Sequence, residues 1–117
     1  MTTLNLSKTE FQTQGLLEVV NNEWKVLSLE NCRSVYTQLE YEVGRKYIKV
    51  WSYLKDGNFG DARMNGRSCF MFIDKETGAC YKPASFKAPA KGIRFWIDQL
   101  VMYPEMVDPY GSFLYVR

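Results

Sequence analysis

Four cations fall within residues 81–94, YKPASFKAPAKGIR. Lys82, Lys87, Lys91 and Arg94 are separated mainly by Pro, Ala, Ser and Gly, so charge is high and bulk is low. That pattern suits an oxyanion, above all a phosphate. Pro89 fits the first turn of a helix, where its missing N–H costs nothing. A helix beginning near residues 89–92 would put Lys87, Lys91 and Arg94, spaced i, i+4, i+7, on one side. Cations at a helix N-terminus are mildly unfavourable by themselves, and a bound anion reverses that sign by meeting the dipole and the exposed N–H groups. GxxxxGK[ST] is absent, so this is no P-loop. The competing reading is a solvated basic turn whose lysine stems lie on neighbouring aromatics.

A second constellation lies on residues 45–54, RKYIKVWSYL, the clearest strand of the chain. Ile48, Val50, Ser52 and Leu54 alternate with Tyr47, Lys49, Trp51 and Tyr53. The first set is ordinary core. The second mixes aromatics and charge, which suits stacking on bases (Tyr47, Trp51, Tyr53) with Arg45 and Lys49 on phosphates. Alternatively, a helix or a second sheet covers the rings while Lys49 reaches out to water. Arg63 and Arg67, near the end of the Gly/Asn-rich loop 55–66, are further flanking cations.

Catalytic chemistry has few carriers here. The chain has no histidine, which removes the commonest general base and metal ligand. A serine nucleophile would need a lysine base, such as Ser85 with Lys82 or Lys87, and such pairs arise by chance in a lysine-rich loop. Glu40 and Glu42 read as surface charge. Cys32, Cys69 and Cys80 are odd in number and lack the short spacing of structural zinc sites, so reduced thiols are expected. No catalytic residue, metal or cofactor is assigned.

Charge is unevenly spread. Residues 43–94 hold eleven Lys/Arg against four acids, a local +7, whereas residues 1–42 carry −3 and residues 95–117 carry −2. A basic middle points to a polyanion more firmly than the net +2 does. At 117 residues, 46% of them hydrophobic, one domain with one core is expected. No apolar run reaches the roughly 18–20 residues of a membrane span. The first residues, MTTLNLSKTEF, lack the layout of a secretory signal, so a cytoplasmic protein is expected.

These residues need a scaffold. Ser7 followed by Glu10 is a capping-box pattern, predicting a helix to about residue 20, ended by Asn21-Asn22. Spacing from Leu29 predicts a second helix to about Gln38, although residues 35–43 also alternate as a strand would. The helical part is thus set at 7–38. The strand-rich basic middle spans 44–82. Within it, 68–74 and 79–82 form a hairpin through the turn 74–78, where Gly78 supplies a positive φ. An amphipathic helix is expected over 89–102, with Ile93, Trp96, Ile97, Leu100 and Val101 inward and Arg94 paired to Asp98. Residues 112–117 read as a final strand. The result is one α+β domain over 1–117: an antiparallel sheet of three to four strands with helices mainly on one face. Its element order, with lysines opening the last helix, also occurs in double-stranded-RNA-binding domains, where such lysines reach phosphates across a groove.

GRKYIKV (44–50) and FIDKETGACYKPASFKAPAKG (72–92) resemble small uncharacterised proteins encoded by bacteriophages and viral metagenomes. The resemblance covers about residues 44–95. Phe86 stands where that pattern leads one to expect Trp. It implies phage or viral origin and the host cytoplasm, without a mechanism. The expected function is a non-catalytic accessory protein that binds nucleic acid or a nucleotide-like phosphate ligand. The alternatives are a protein-interaction module, docking on a host protein or on its own copies, and a minor virion component.

Overall fold

The computed structural model describes residues 7–64 and 66–115. It begins with one long helix, α1 (Lys8–Glu30). The Ser7 hydroxyl accepts the Glu10 N–H at 3.1 Å, closing the first turn. Thr9, Thr13, Leu16, Leu17, Val20, Trp24 and Ser28 recur every three or four residues and are buried. The helix does not stop at Asn21-Asn22. The Asn21 side chain clamps the Leu39 backbone instead, donating to its carbonyl at 2.9 Å and accepting its N–H at 2.8 Å. A residue typed as a breaker therefore serves as a rivet on the neighbouring strand. The end comes at Asn31, followed by Cys32 at φ 58°. The Ser28 hydroxyl then ties the departing chain to the carbonyls of Arg33 and Val35.

The second helix expected up to Gln38 is absent. Residues Val35–Val43 form strand β1, so the two-residue alternation was the operative signal. β2 (Tyr47–Asp56), β3 (Ala62–Arg63), β4 (Ser68–Asp74), β5 (Ala79–Tyr81) and β6 (Phe95–Trp96) complete an antiparallel sheet. Its order is β1-β2-β4-β5-β6, with β3 also paired to β2. Six strands exceed the three to four expected. β3 and β6 hold two residues each, too few to show periodicity. Residues 55–64, expected as loop, are correspondingly more ordered than their composition suggests. The Met64 N–H donates to the Leu54 carbonyl at 2.8 Å, and a 3-10 turn spans Gly57–Phe59.

One sheet face receives α1. Leu39, Ile48, Val50, Met71, Ile73 and Cys80 meet Leu16, Leu17, Val20 and Trp24 there. The β4–β5 turn requires its glycine. Gly78 sits at φ 80°, and a Cβ on it would lie 2.7 Å from Ile97 Cγ2.

The C-terminal third departs furthest from expectation. Helix α2 is Ile97–Met102 only, not 89–102. Residues 82–94 and β6 take the length assigned to it, because the Arg94 N–H is drawn to the Cys80 carbonyl at 2.8 Å, beside β5. Ile97 and Leu100 are buried as expected, while Ile93, Trp96 and Val101 are exposed. Asp98 accepts a hydrogen bond from Gln12 rather than pairing with Arg94. Residues Ser112–Leu114 form a 3-10 turn instead of a strand. The Asp108 carboxylate organises it, accepting from Ser112 Oγ at 2.7 Å and from the Phe113 N–H at 3.0 Å. Those donors outweigh the effect of partial burial and hold this carboxyl below its ordinary range. Val116 and Arg117, also assigned to that strand, lie outside the described residues.

Candidate nucleic-acid interface

The face of the sheet opposite α1 carries most of the candidate residues. Directly paired residues share a face. The register Gln38↔Tyr53, Glu40↔Trp51 and Glu42↔Lys49 therefore lays β1 acids beside β2 aromatics, and Lys49↔Phe72 and Phe72↔Tyr81 carry the face across β4 and β5.

At one end this face is closed by its own cations. The Arg63 guanidinium stacks 3.9 Å from the centre of the Tyr53 ring, and Arg67 lies 4.1 Å from that of Trp51. Glu40 holds Arg63 at 3.0 Å and Arg67 at 3.1 Å, and Glu42 takes Arg67 at 3.4 Å. The Trp51 indole N–H donates to Glu42 at 3.2 Å. Trp51 and Tyr53 are each only 7% exposed. The positions where a base would stack are filled by guanidinium groups. The two glutamates are thus part of a cation–ring–acid layer. The signal for this was available in the i, i+2 spacing of Glu40 and Glu42 on a strand. Nearby, Asp61 accepts from the Tyr36 hydroxyl at 2.7 Å and pairs with Lys25 at 3.4 Å. That hydrogen bond and cation hold its carboxyl low, while burial and the same bond push the Tyr36 phenol up to about 12.

The other end is different. Tyr47 is half-buried, edge-on to Phe72 and Tyr81 at 5.7 and 6.1 Å between ring centres. It is neither a free platform nor a sealed ring. Lys49 donates to the Phe86 carbonyl at 2.9 Å, which ties residues 82–94 to this face. That segment is a compact arm, not a helix start. Pro83 and Pro89 form a β-bridge, the Ala84 N–H donates to the Ala88 carbonyl at 3.0 Å, and the Ala90 N–H donates to the Lys82 carbonyl at 2.9 Å. No helix therefore begins at Lys87, Lys91 or Arg94 to turn its dipole on an anion, and the likeness in element order to double-stranded-RNA-binding domains is lost with it. Pro83 and Pro89 favour extended backbone as readily as they favour a first turn.

Lys87 and Lys91 are exposed on the arm, and Lys82 lies over the Tyr115 ring at 4.6 Å. Arg94 is half-buried, with its Nε shielded from solvent and without an acceptor. Arg45 and Lys46 project from the β1–β2 turn, Lys46 lying over Tyr47 at 5.4 Å. Among the described residues, every ion pair involves Lys25, Arg63 or Arg67. Among the described residues, Arg45, Lys46, Lys49, Lys82, Lys87, Lys91 and Arg94 form no ion pair, although Lys46 is near enough to Asp74 to help hold that carboxyl low. Phe86, to which sequence reasoning gave no role, stands at the arm's tip and is 60% exposed, with Lys87 beside its ring.

Cys80 lies in the core and Cys69 is half-buried near Lys49; burial pushes both thiols up, Cys80 to about 12. Neither is a ready nucleophile at neutral pH. Among the described residues, no three acidic or thiol side chains gather as a metal site would require, and no helix is long and apolar enough to cross a membrane.

The chain belongs to a family of unknown function, DUF7717. The family model matches residues 4–116, so α1 and the C-terminal segment are as much a part of the DUF7717 fold as the motif-bearing middle. No curated protein and no solved structure matches the chain.

Proposed function

We propose that this protein binds nucleic acid, or a nucleotide-like phosphate ligand, without catalysing a reaction on it. The contact runs through Lys82, Lys87, Lys91 and Arg94 of the arm, flanked by Arg45, Lys46 and Lys49. Phe86 is the stacking residue, in place of Trp51 and Tyr53. The observation that carries this reading is that, among the described residues, these cations form no ion pair, while Arg63 and Arg67 in the same sheet face are neutralised. Unpaired cations beside an exposed ring are the elements that single-stranded nucleic-acid sites combine. On this reading the chain is an accessory protein of phage or viral origin acting in the host cytoplasm, as its resemblance implies.

Titration of nuclease-treated protein with labelled DNA and RNA tests it. Affinity should fall steeply between about 50 and 200 mM salt, as counterion release demands. Lys87→Glu with Lys91→Glu should weaken binding at low salt on the order of tenfold or more, each change reversing a charge at a phosphate contact. Absence of low-salt binding, or binding indifferent to that double change, would sink the proposal.

A further inference from the structure

β1 is the long free edge of the sheet. It pairs with β2 alone, whereas the opposite edge, β6, holds two residues. An edge strand offers its outward N–H and C=O groups to any strand that reaches it, and proteins blunt such edges with brevity, lysine, proline or a bulge. β1 has none of these. Its nine residues, VYTQLEYEV, include neither lysine nor proline, and its register with β2 runs unbroken from Val35↔Asp56 to Val43↔Ile48. Its Val, Tyr and Thr residues favour strands. Its two charges, Glu40 and Glu42, are engaged by Arg63 and Arg67 on the open face.

α1 occupies this edge instead. The Asn21 amide takes both the N–H and the C=O of Leu39. A strand residue points both groups to the same side. Asn21 is not part of β2, so the Leu39 groups point away from β2, and with them those of Val35, Thr37, Tyr41 and Val43. The Ser28 hydroxyl takes a second outward group, the Val35 carbonyl, at 2.9 Å. The spacings match. Helix rises about 10.5 Å over the seven residues from Asn21 to Ser28, and strand covers about 13 Å over the four from Leu39 to Val35. Among the described residues, the outward groups of Thr37, Tyr41 and Val43 have no partner.

We infer that Asn21 and Ser28 hold closed a strand-pairing edge, and that what they exclude is β1 of a second copy of this chain. With both in place, only Tyr41 and Val43 are free in succession, and Thr37 is isolated between two plugs. Without Asn21 the free run extends over residues 37–43, longer than the common strand length of about five to six residues. A second β1 is the excluded partner because strand pairing about a two-fold axis is self-complementary. Among the described residues, no other strand longer than three residues is unpaired on one side. The bond that fixes α1 on β1 is thus also an inhibitory contact. The inference is independent of the anion-binding reading, because the outer edge of β1 carries none of the arm's cations.

Sedimentation velocity on nuclease-treated protein over a wide concentration range tests it. Wild type should remain monomeric. Asn21→Ala, still folded by circular dichroism, should associate at concentrations at least about tenfold below any at which wild type does, as several new ladder hydrogen bonds require. Adding Thr37→Pro should restore the monomer, since proline removes an outward N–H and leaves the ladder with β2 intact. Asn21→Asp separates this effect from lost stability. It forfeits the bond to the Leu39 carbonyl, keeps an acceptor for the N–H and sets a charge at the edge, so it should unfold at lower urea yet stay monomeric. The inference is overturned if Asn21→Ala stays monomeric, if Thr37→Pro leaves its association unchanged, or if Asn21→Asp associates equally. Wild-type association that Thr37→Pro abolishes overturns it too, because the edge would already be open. If Asn21→Ala does not fold, amide exchange in wild type decides. The Tyr41 N–H should exchange at least about tenfold faster than that of Leu39, and equal protection of the two would overturn the inference.

Discussion

The two ends of the open sheet face are built from the same residue types and reach opposite electrostatic states. At one end Arg63 and Arg67 lie on Tyr53 and Trp51, and Glu40 and Glu42 hold them there. At the other, Lys82 lies over Tyr115 and Lys87 beside Phe86, Lys91 is exposed, and among the described residues none of the three forms an ion pair. The difference is the acid. A guanidinium that is stacked and ion-paired covers a ring and cancels its own field. A lysine beside an exposed ring keeps its field for a ligand. Local cation and aromatic content therefore identifies neither a site nor a lid until the third component is located.

The largest test of this contrast is Trp51→Ala. Removing a ring that is 7% exposed should cost about 3–5 kcal/mol of stability, read by urea unfolding. The folded fraction should still bind nucleic acid, since the ring is covered. If Trp51→Ala abolished binding with little loss of stability, the closed end would be the site and the comparison would be inverted. Phe86→Ala is the mirror experiment. It should leave stability within about 0.5 kcal/mol, as for other exposed positions, and reduce affinity by about 1 kcal/mol or more, the usual value of one stacked base. Equal affinity in wild type and variant would remove the ring from the interface. Arg67→Ala has the smallest expected effect. It should cost about 1 kcal/mol of stability, chiefly through lost stacking, since its ion pairs are partly exposed and screened. Affinity at low salt should change far less than with the arm's charge reversals. A loss as large as theirs would show that Arg67 leaves Trp51 to meet the ligand.

Much of this was legible in the residues themselves. The β4–β5 hairpin through Gly78, the core alternation of Ile48 and Val50, and the buried Ile97 and Leu100 all lie where periodicity and turn chemistry put them. These signals are local, each contained within a few neighbouring residues. Asn21 shows where such reasoning stops. Its type suggests a helix end, yet its amide pairs with a backbone eighteen residues away, and that bond is invisible from within the helix. The arm shows the same limit. Pro89 is compatible with a helix start and with a β-bridge, and the choice was made by Pro83 and by the Cys80 carbonyl, which draws Arg94 toward β5.

The candidate site divides in the same way. By itself the sequence determined the excess of positive charge in residues 43–94, the lack of any histidine to drive acid–base chemistry, and the aromatic side of β2. Those properties follow from composition and a two-residue repeat. Only the tertiary structure decided which cations are neutralised and which ring is exposed. Pairing β1 with β2 brings Glu40 and Glu42 across to Trp51 and Arg67, and Coulomb attraction and ring contact depend on distance through space. Separation along the chain carries neither.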